Sequence, residues 1–431
     1  MSDEVLRAVA DGGRVRVVVA LRPPAVAGKS AGAQQAAIRT LQRHVVAAVV
    51  PDGFRRLDDW RSTPGLAGEL TSAGLAALAA NPDVLRVDVE HGGSISLLES
   101  VPLVGGTAAH ERGLRAAGVT VAVIDTGVDG SHPDLAGAVV DERCFCTSLT
   151  GAGCCPNHET EQRGPGAAAD EQGHGTGVAG IVASRGAVAG IGMAPDAKIV
   201  AIRVMDSSGR YEHDSVITSA FDYLLTEHPE VRVVNLSLGS DEAIDATCDG
   251  ANAQTLLWAQ QVAALRARGT AVVASSGNHA AVGAMTSPAC VSGVWSVGAT
   301  YDAPQRSIEF GVCGDAGVLA DDIACFSDTA ATLSFLAPGA IITSSARGGR
   351  TQRMVGTSAA SPHVAGAAAL LFGRKPSASF AEIEALLTRT GIPIVDSRNG
   401  IRYPRIDVGA AAAELDKTLV APSPRRRAAG H

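Results

Sequence analysis

Three residues of the 431-residue chain carry the side chains of a nucleophilic relay, and each sits where a strand ends or a helix begins. Asp125 follows the apolar run VTVAVI and precedes Thr126-Gly127, so it projects from a strand end at a turn. His174 lies in GHGTGVAG, between Gly173 and Gly175, at the start of the helical stretch VAGIVAS. Ser358 follows Gly356-Thr357 and opens the helical run AASPHVAGAAALLF, in which Pro362 reads as a first-turn residue. Alone, the carboxylate could cap a turn and the imidazole could cap or pack a helix. Together the three supply what serine chemistry requires. A hydroxyl is a poor nucleophile near neutral pH, so it needs an imidazole to take its proton and a carboxylate to fix the imidazole's tautomer.

The elements that must position these groups follow from the pattern of the chain. From about residue 118, near-continuous apolar runs (VTVAVID, AKIVAIRV, VRVVNLSL, TAVVASSG, VWSVGAT) alternate with Ala-rich helical stretches. Strands apolar on both faces and separated by crossovers predict a parallel sheet covered by helices, an α/β fold. Ligands in such folds sit at the carboxyl ends of strands.

Residues 14–90 follow a different pattern, predicting strand, helix, strand, strand, helix and strand. Val15, Val17, Val19 and Leu21 alternate as one face of a strand. Ile38, Leu41, Val45 and Val49 recur at helical spacing, with Arg39, Gln42 and Arg43 expected to face outward. Weaker strands are expected around Phe54 to Trp60 and Leu66 to Leu70. Ser72 is expected to cap a short helix carrying Leu75 and Leu78, which Asn81-Pro82 stops. A last strand should turn Leu85, Val87 and Val89 inward and Arg86, Asp88 and Glu90 outward. That order is the split β-α-β pattern of a ferredoxin-like sandwich and by itself says nothing about function.

Composition narrows the function classes. A formal net charge of -8 and a pI near 5.8 give no basic face for nucleic acid. Arg425-Arg426-Arg427 stands in a Pro-containing end and reads as solvated. No stretch approaches the roughly 20 apolar residues of a membrane span. The start, MSDEVLRAVADGG, has neither the basic nor the long apolar region of a secretory leader. Eight cysteines point the other way, toward an oxidising compartment. Cys313 and Cys325 bracket a short loop, and Cys248 and Cys290 flank a helix-strand unit. Cys144, Cys146, Cys154 and Cys155 crowd one loop with His158 nearby. Free buried thiols are the plain alternative and zinc a further one at the crowded loop, but C-x-C followed by adjacent cysteines is not the usual C-x2-C spacing, and disulfides are expected.

The stretches VAVIDTGVDGSHPDL, GHGTGVAGIVAS and GTSAASPHVAGAAALL, in the order Asp, His, Ser, resemble the three catalytic motifs of the subtilisin-like serine proteases, the subtilase family. The resemblance covers roughly residues 100 to 415. It implies a three-layer α/β domain with a mostly parallel sheet and an Asp125-His174-Ser358 triad acting through an acyl-enzyme. Asn278, in VVASSGN, matches the family's oxyanion-hole asparagine. Ser237-Leu238-Gly239 and the segment near Ser208-Gly209 match the two edges between which an extended peptide or protein substrate is held, with Met205 and Leu238 lining a pocket for an apolar side chain. The family counterpart of His363 is structural. One departure is Gly177, where many members carry a histidine, and little effect on the chemistry is expected. No cofactor is implied for the chemistry; a structural calcium at Asp134 is left open.

The amino-terminal unit also resembles the family's inhibitor-like propeptide, with LAALAANPDVLRVDVE matching its closing helix and strand. The expected organisation is a small α+β ferredoxin-like propeptide domain at 1–95, a catalytic domain at 96–416 and a flexible Pro/Arg tail at 417–431. Self-cleavage is expected between His91 and Val101, the propeptide acting in cis on its own protease. The expected protein is a secreted monomer, with any leader trimmed from this chain. Two alternatives stay open: a cytoplasmic enzyme for one precursor, and a silent relative that binds peptides without turnover.

Overall fold

Val17, Val19 and Leu21 alternate inward along the strand Val15–Leu21 and seed the core of the first of two units into which the chain divides, residues 1–94 and 95–431. The computed structural model describes residues 3–10, 13–24, 30–60, 63–89, 97–148, 151–245 and 247–420. In the first unit, strand Val15–Leu21 pairs antiparallel with Gly65–Leu70 and Val84–Val89, and Phe54–Asp59 pairs with the outer side of Gly65–Leu70. Helices Ala31–Ala47 and Ser72–Ala80 connect them in the predicted split β-α-β order, and a further helix, Asp3–Ala10, adds Val5 and Val9 to the same core.

Three local expectations change. Gln42 is buried, because its amide donates to the carbonyls of Trp60 (2.9 Å) and Gly65 (2.8 Å), which flank the link between two strands. Leu85 is 52% exposed rather than inward, because the register shifts there: Ala20 pairs with Arg86 and Leu21 with Val84, so Leu85 is the unpaired residue of a bulge and Val84 packs on the core in its place. Ser72 is the first helical residue and not the cap; the cap position is Thr71, whose hydroxyl makes no capping bond to the helix and donates instead to the carbonyls of Asp52 and Gly53. Packing holds that helix instead: burying Leu78 is worth about 1.5–3 kcal/mol, against about 1 kcal/mol for a good cap.

In the second unit, seven strands run parallel: β1 (Thr120–Asp125), β2 (Val139–Phe145), β3 (Lys198–Arg203), β4 (Val231–Leu236), β5 (Ala271–Ser275), β6 (Val294–Tyr301) and β7 (Phe335–Ala346). Their order is β7-β6-β5-β4-β1-β3-β2, with shorter strands at the margins. Every residue of β1 is buried, as a central strand covered on both faces requires. Val121 and Val123 join one apolar layer with helices α1 (His174–Ala183) and α2 (Thr357–Arg374). Ala122 and Ile124 join the other, with Phe221 and Trp258 from helices Ser215–Glu227 and Ala253–Ala267. This is a three-layer α/β domain.

All eight cysteines pair: Cys144–Cys155, Cys146–Cys154, Cys248–Cys290 and Cys313–Cys325. The crowded loop is therefore a double staple with no thiolate left for zinc. Helix Val408–Val420 continues four residues into the expected tail; 421–431, and most of the expected processing stretch, 90–96, lie outside the described residues. No helix among the described residues is long and apolar enough to cross a membrane.

Candidate active site

β1 ends in Asp125, whose carboxylate is fully buried. Its Oδ1 accepts the Thr126 N–H at 2.7 Å and meets His174 Nδ1 at 2.8 Å. An ionised carboxylate can only accept, so the neutral ring carries its proton on Nδ1 and presents Nε2 as an acceptor. Burial of His174 opposes its charged form, but the charge and hydrogen bond of Asp125, with a smaller contribution from Asp170, outweigh it and raise the imidazole above its ordinary value.

His174 is the first residue of α1, after Gly173 at φ +112°, a left-handed conformation that favours glycine. Asp170 organises this helix start. Its Oδ1 accepts from Thr126 Oγ1 (3.0 Å), Gln172 N (3.0 Å) and Gly173 N (2.8 Å), and its Oδ2 from Thr176 N (3.0 Å) and Thr176 Oγ1. Sequence reasoning passed over Asp170, although an aspartate just ahead of a helix start is the local signal for such a cap. Gly175 is required by proximity: a Cβ there would lie 2.1 Å from the Gly127 carbonyl oxygen and 3.0 Å from Asp125 Oδ1.

Ser358 is the second residue of α2, behind Gly356 at φ +138°. Asn278 follows β5, and its Oδ1 accepts from Thr357 N (2.8 Å) and Thr357 Oγ1 (3.0 Å). With the oxygen so committed, the amide NH2 is the end left for other partners. A side chain at Gly356 would begin 3.1 Å from Ser358 Oγ and 3.2 Å from Asn278 Nδ2, so the glycine keeps open the space that these two groups border.

His174, Asn278 and Ser358 line one cleft of about 800 Å3, together with Met205, Gly209, Ser237, Leu238 and Gly239; Asp125 lies buried behind His174. All nine residues selected from the sequence thus come to one place, the carboxyl edge of the sheet. Three cleft features were not anticipated. Ser237 points its side chain inward to the Ser358 carbonyl. His279, beside Asn278, is held by the buried Asp328 at 3.0 Å. Arg210 meets Asp241 at 2.9 Å, an exposed pair joining the turn at Gly209 to the segment after Gly239.

Pro362 is the sixth residue of α2 and so beyond its first turn, contrary to the expectation from sequence. His363 is fully buried, bonding the Ala359 carbonyl (2.9 Å) and Ser100 Oγ (3.0 Å), and burial pushes it down to about 4. The space a larger residue would fill at Gly177 is taken by Met354 and Gln352, and Gln352 Nε2 also donates to the Gly173 carbonyl at 2.6 Å. Asp134 does not fit a calcium ligand. It is buried, with Oδ1 taken by Val188 N (2.7 Å) and Oδ2 by Ala189 N (3.0 Å) and Ser345 Oγ (2.8 Å). No group of three metal-ligating side chains occurs among the described residues.

Residues 116–411 match the profile of the Subtilase family. An alkaline protease of Alkalihalobacillus alcalophilus is 33% identical over 339 residues, 78% of this chain and 76% of that protein. Subtilisin Savinase of Lederbergia lenta is 35% identical over 284 residues, 66% of this chain and 87% of its own. The crystal structure of a cold adapted subtilisin-like serine proteinase superposes with a TM-score of 0.52 at 25% identity, covering 68% of this chain and 91% of that one. The cleft built from β1, α1, β5 and α2 therefore lies in a domain of known kind, and the chain belongs to the subtilase family as a subtilisin-like serine endopeptidase.

Proposed function

We propose that the enzyme cuts extended peptide segments through an Asp125-His174-Ser358 triad. Ser358 Oγ attacks the scissile carbonyl carbon while its proton passes to His174 Nε2. The oxygen that gains charge is met by the Asn278 amide and the Ser358 backbone N–H at the start of α2. Collapse expels the amine, which takes the proton from His174, and water then repeats the sequence to free the acid and regenerate the hydroxyl. Asp125 holds the ring and balances its charge. The substrate lies as an added strand between Ser237-Leu238-Gly239 and the turn at Gly209, with Met205 and Leu238 facing an apolar side chain. The observation that carries this reading is the 2.8 Å Asp125–His174 bond behind a cleft that Ser358 and Asn278 also line. A fluorophosphonate probe should label Ser358 in the wild type and not in His174→Ala; an adduct elsewhere, or none, overturns it.

Residues 1–95 are read as a propeptide acting in cis, removed by the enzyme itself. Ser100 and Val101 are fully buried in the second unit, and helix Leu97–Leu103 contributes to its packing. The cut therefore belongs before Leu97, which narrows the expected 91–101 window. Ser358→Ala purified alone should keep its full length; a shortened product would refute self-processing. Four disulfides suit an oxidising compartment, so the enzyme is proposed to act outside the cell.

A further inference from the structure

Within a helix each backbone N–H bonds the carbonyl four residues back, and Pro362 has no N–H to give. The carbonyl it leaves without a helical donor is that of Ser358. Ser237 fills the gap: its Oγ donates to the Ser358 carbonyl oxygen at 2.8 Å, across 121 residues of sequence. Ser237 is itself held, by Asn235 Nδ2 at 2.9 Å and by Ser361 Oγ at 2.9 Å, and Asn235 and Ser361 are fully buried. The proton count is consistent. A hydroxyl donates once and accepts twice, so Ser237 gives its proton to Ser358 and accepts from Asn235 and Ser361.

We propose that Ser237 is a positioning residue for the nucleophile, supplying the hydrogen bond that Pro362 cannot and so fixing the peptide plane from which the Ser358 side chain departs. The inference rests on Ser358 being the nucleophile. Its mechanical content is a direct coupling: Ser237 begins the segment Ser237-Leu238-Gly239, so the strand edge offered to a substrate and the helix start offering the hydroxyl are joined by one bond. Misplacing a reacting atom by an ångström costs about 100-fold in rate, so even a partial tilt of that plane is measurable.

The test pairs removal with restoration. Ser237→Ala should lower kcat about tenfold with KM within about twofold, and should slow fluorophosphonate labelling of Ser358 in parallel. Pro362→Ala restores a backbone N–H four residues beyond Ser358, so the double variant should regain most of the lost rate. A residue acting only through substrate contact or general packing would not be rescued from α2. Unchanged kcat in Ser237→Ala, a loss confined to KM, or a folded double variant as slow as the single one would overturn the proposal. If Ser237→Ala does not fold, the comparison is Pro362→Ala with and without Ser237→Ala: a difference under about twofold supports the role, and a tenfold difference refutes it. Wild-type labelling away from Ser358 would sink the proposed function and this inference together. Labelling at Ser358 that Ser237→Ala leaves equally fast sinks the inference alone.

Discussion

Asp125 and His174 share a 2.8 Å hydrogen bond in which one partner is sealed and the other is not: the carboxylate is fully buried, while the imidazole side chain is 27% exposed. Asp125 Oδ2 has no hydrogen-bond partner among the described residues, so the ring is the chief answer to its charge. The raised imidazole fixes the sign of two pH effects. Its contribution to stability is fully present below the unfolded value near 6.5 and is lost as pH rises through the higher folded value. Under the proposed mechanism activity runs oppositely, because a general base must be neutral. The acid limb of kcat/KM should therefore lie above pH 6.5. Asp125→Asn should move that limb downward and cut kcat by about 10,000-fold. A pH profile on a short peptide measures both.

Gly175 and Gly177 should separate sharply when each is changed to alanine. At 175 the new Cβ meets the Gly127 backbone oxygen at 2.1 Å, which cannot move without displacing the turn after Asp125. At 177 it meets Met354 Sδ at 2.4 Å and Gln352 Nε2 at 2.7 Å, the far ends of flexible side chains. Gly175→Ala should cost more than about 3 kcal/mol or abolish folding, and Gly177→Ala about 1 kcal/mol. Thermal melting of the two proteins decides it.

Asn278→Asp tests the oxyanion assignment with little change of shape. The carboxylate still accepts both Thr357 bonds, but the NH2 is replaced by an anion. A fall in kcat of about 100- to 1,000-fold, with KM little altered, is expected from steady-state kinetics.

The disulfides can be counted and weighed. The native protein should take up no alkylating agent without reductant and eight equivalents after reduction and unfolding. Cys248–Cys290 spans 42 residues and so restricts the unfolded chain most. Replacing both cysteines by alanine should cost about 4 kcal/mol, read from denaturant unfolding.

Local patterning made the parallel sheet legible and selected the three residues proposed as a relay, because apolar runs and Gly-flanked chemical groups are signals contained within a dozen residues. What it missed depends on partners far away. Nothing near Ser237 says that its hydroxyl reaches Ser358, and nothing near Gly177 says that Gln352 and Met354 fill its space. Pro362 is a case of the same kind: its position in the helix does not account for it, and a donor just past the end of β4 supplies the missing bond. Gln42 looked like a surface amide until the two carbonyls that bury it came from another part of the unit. Leu85 failed differently. Alternation predicts which residues share a face only while the register is unbroken, and the bulge that turns Leu85 out is set by pairing with the strand Val15–Leu21, more than 60 residues upstream.

The order of the parts along the chain also sets a clock. Asp125 and His174 emerge early from the ribosome, whereas Ser358 stands on a helix whose buried His363 is bonded to Ser100, 263 residues upstream. A chain made only as far as β6 contains Asp125 and His174 but not Ser358, and so lacks one of the three groups of the proposed relay. β7 and α2 follow one another closely in sequence and pack together, so a chain cut short before them lacks the proposed attacking hydroxyl together with the strand that supports its helix.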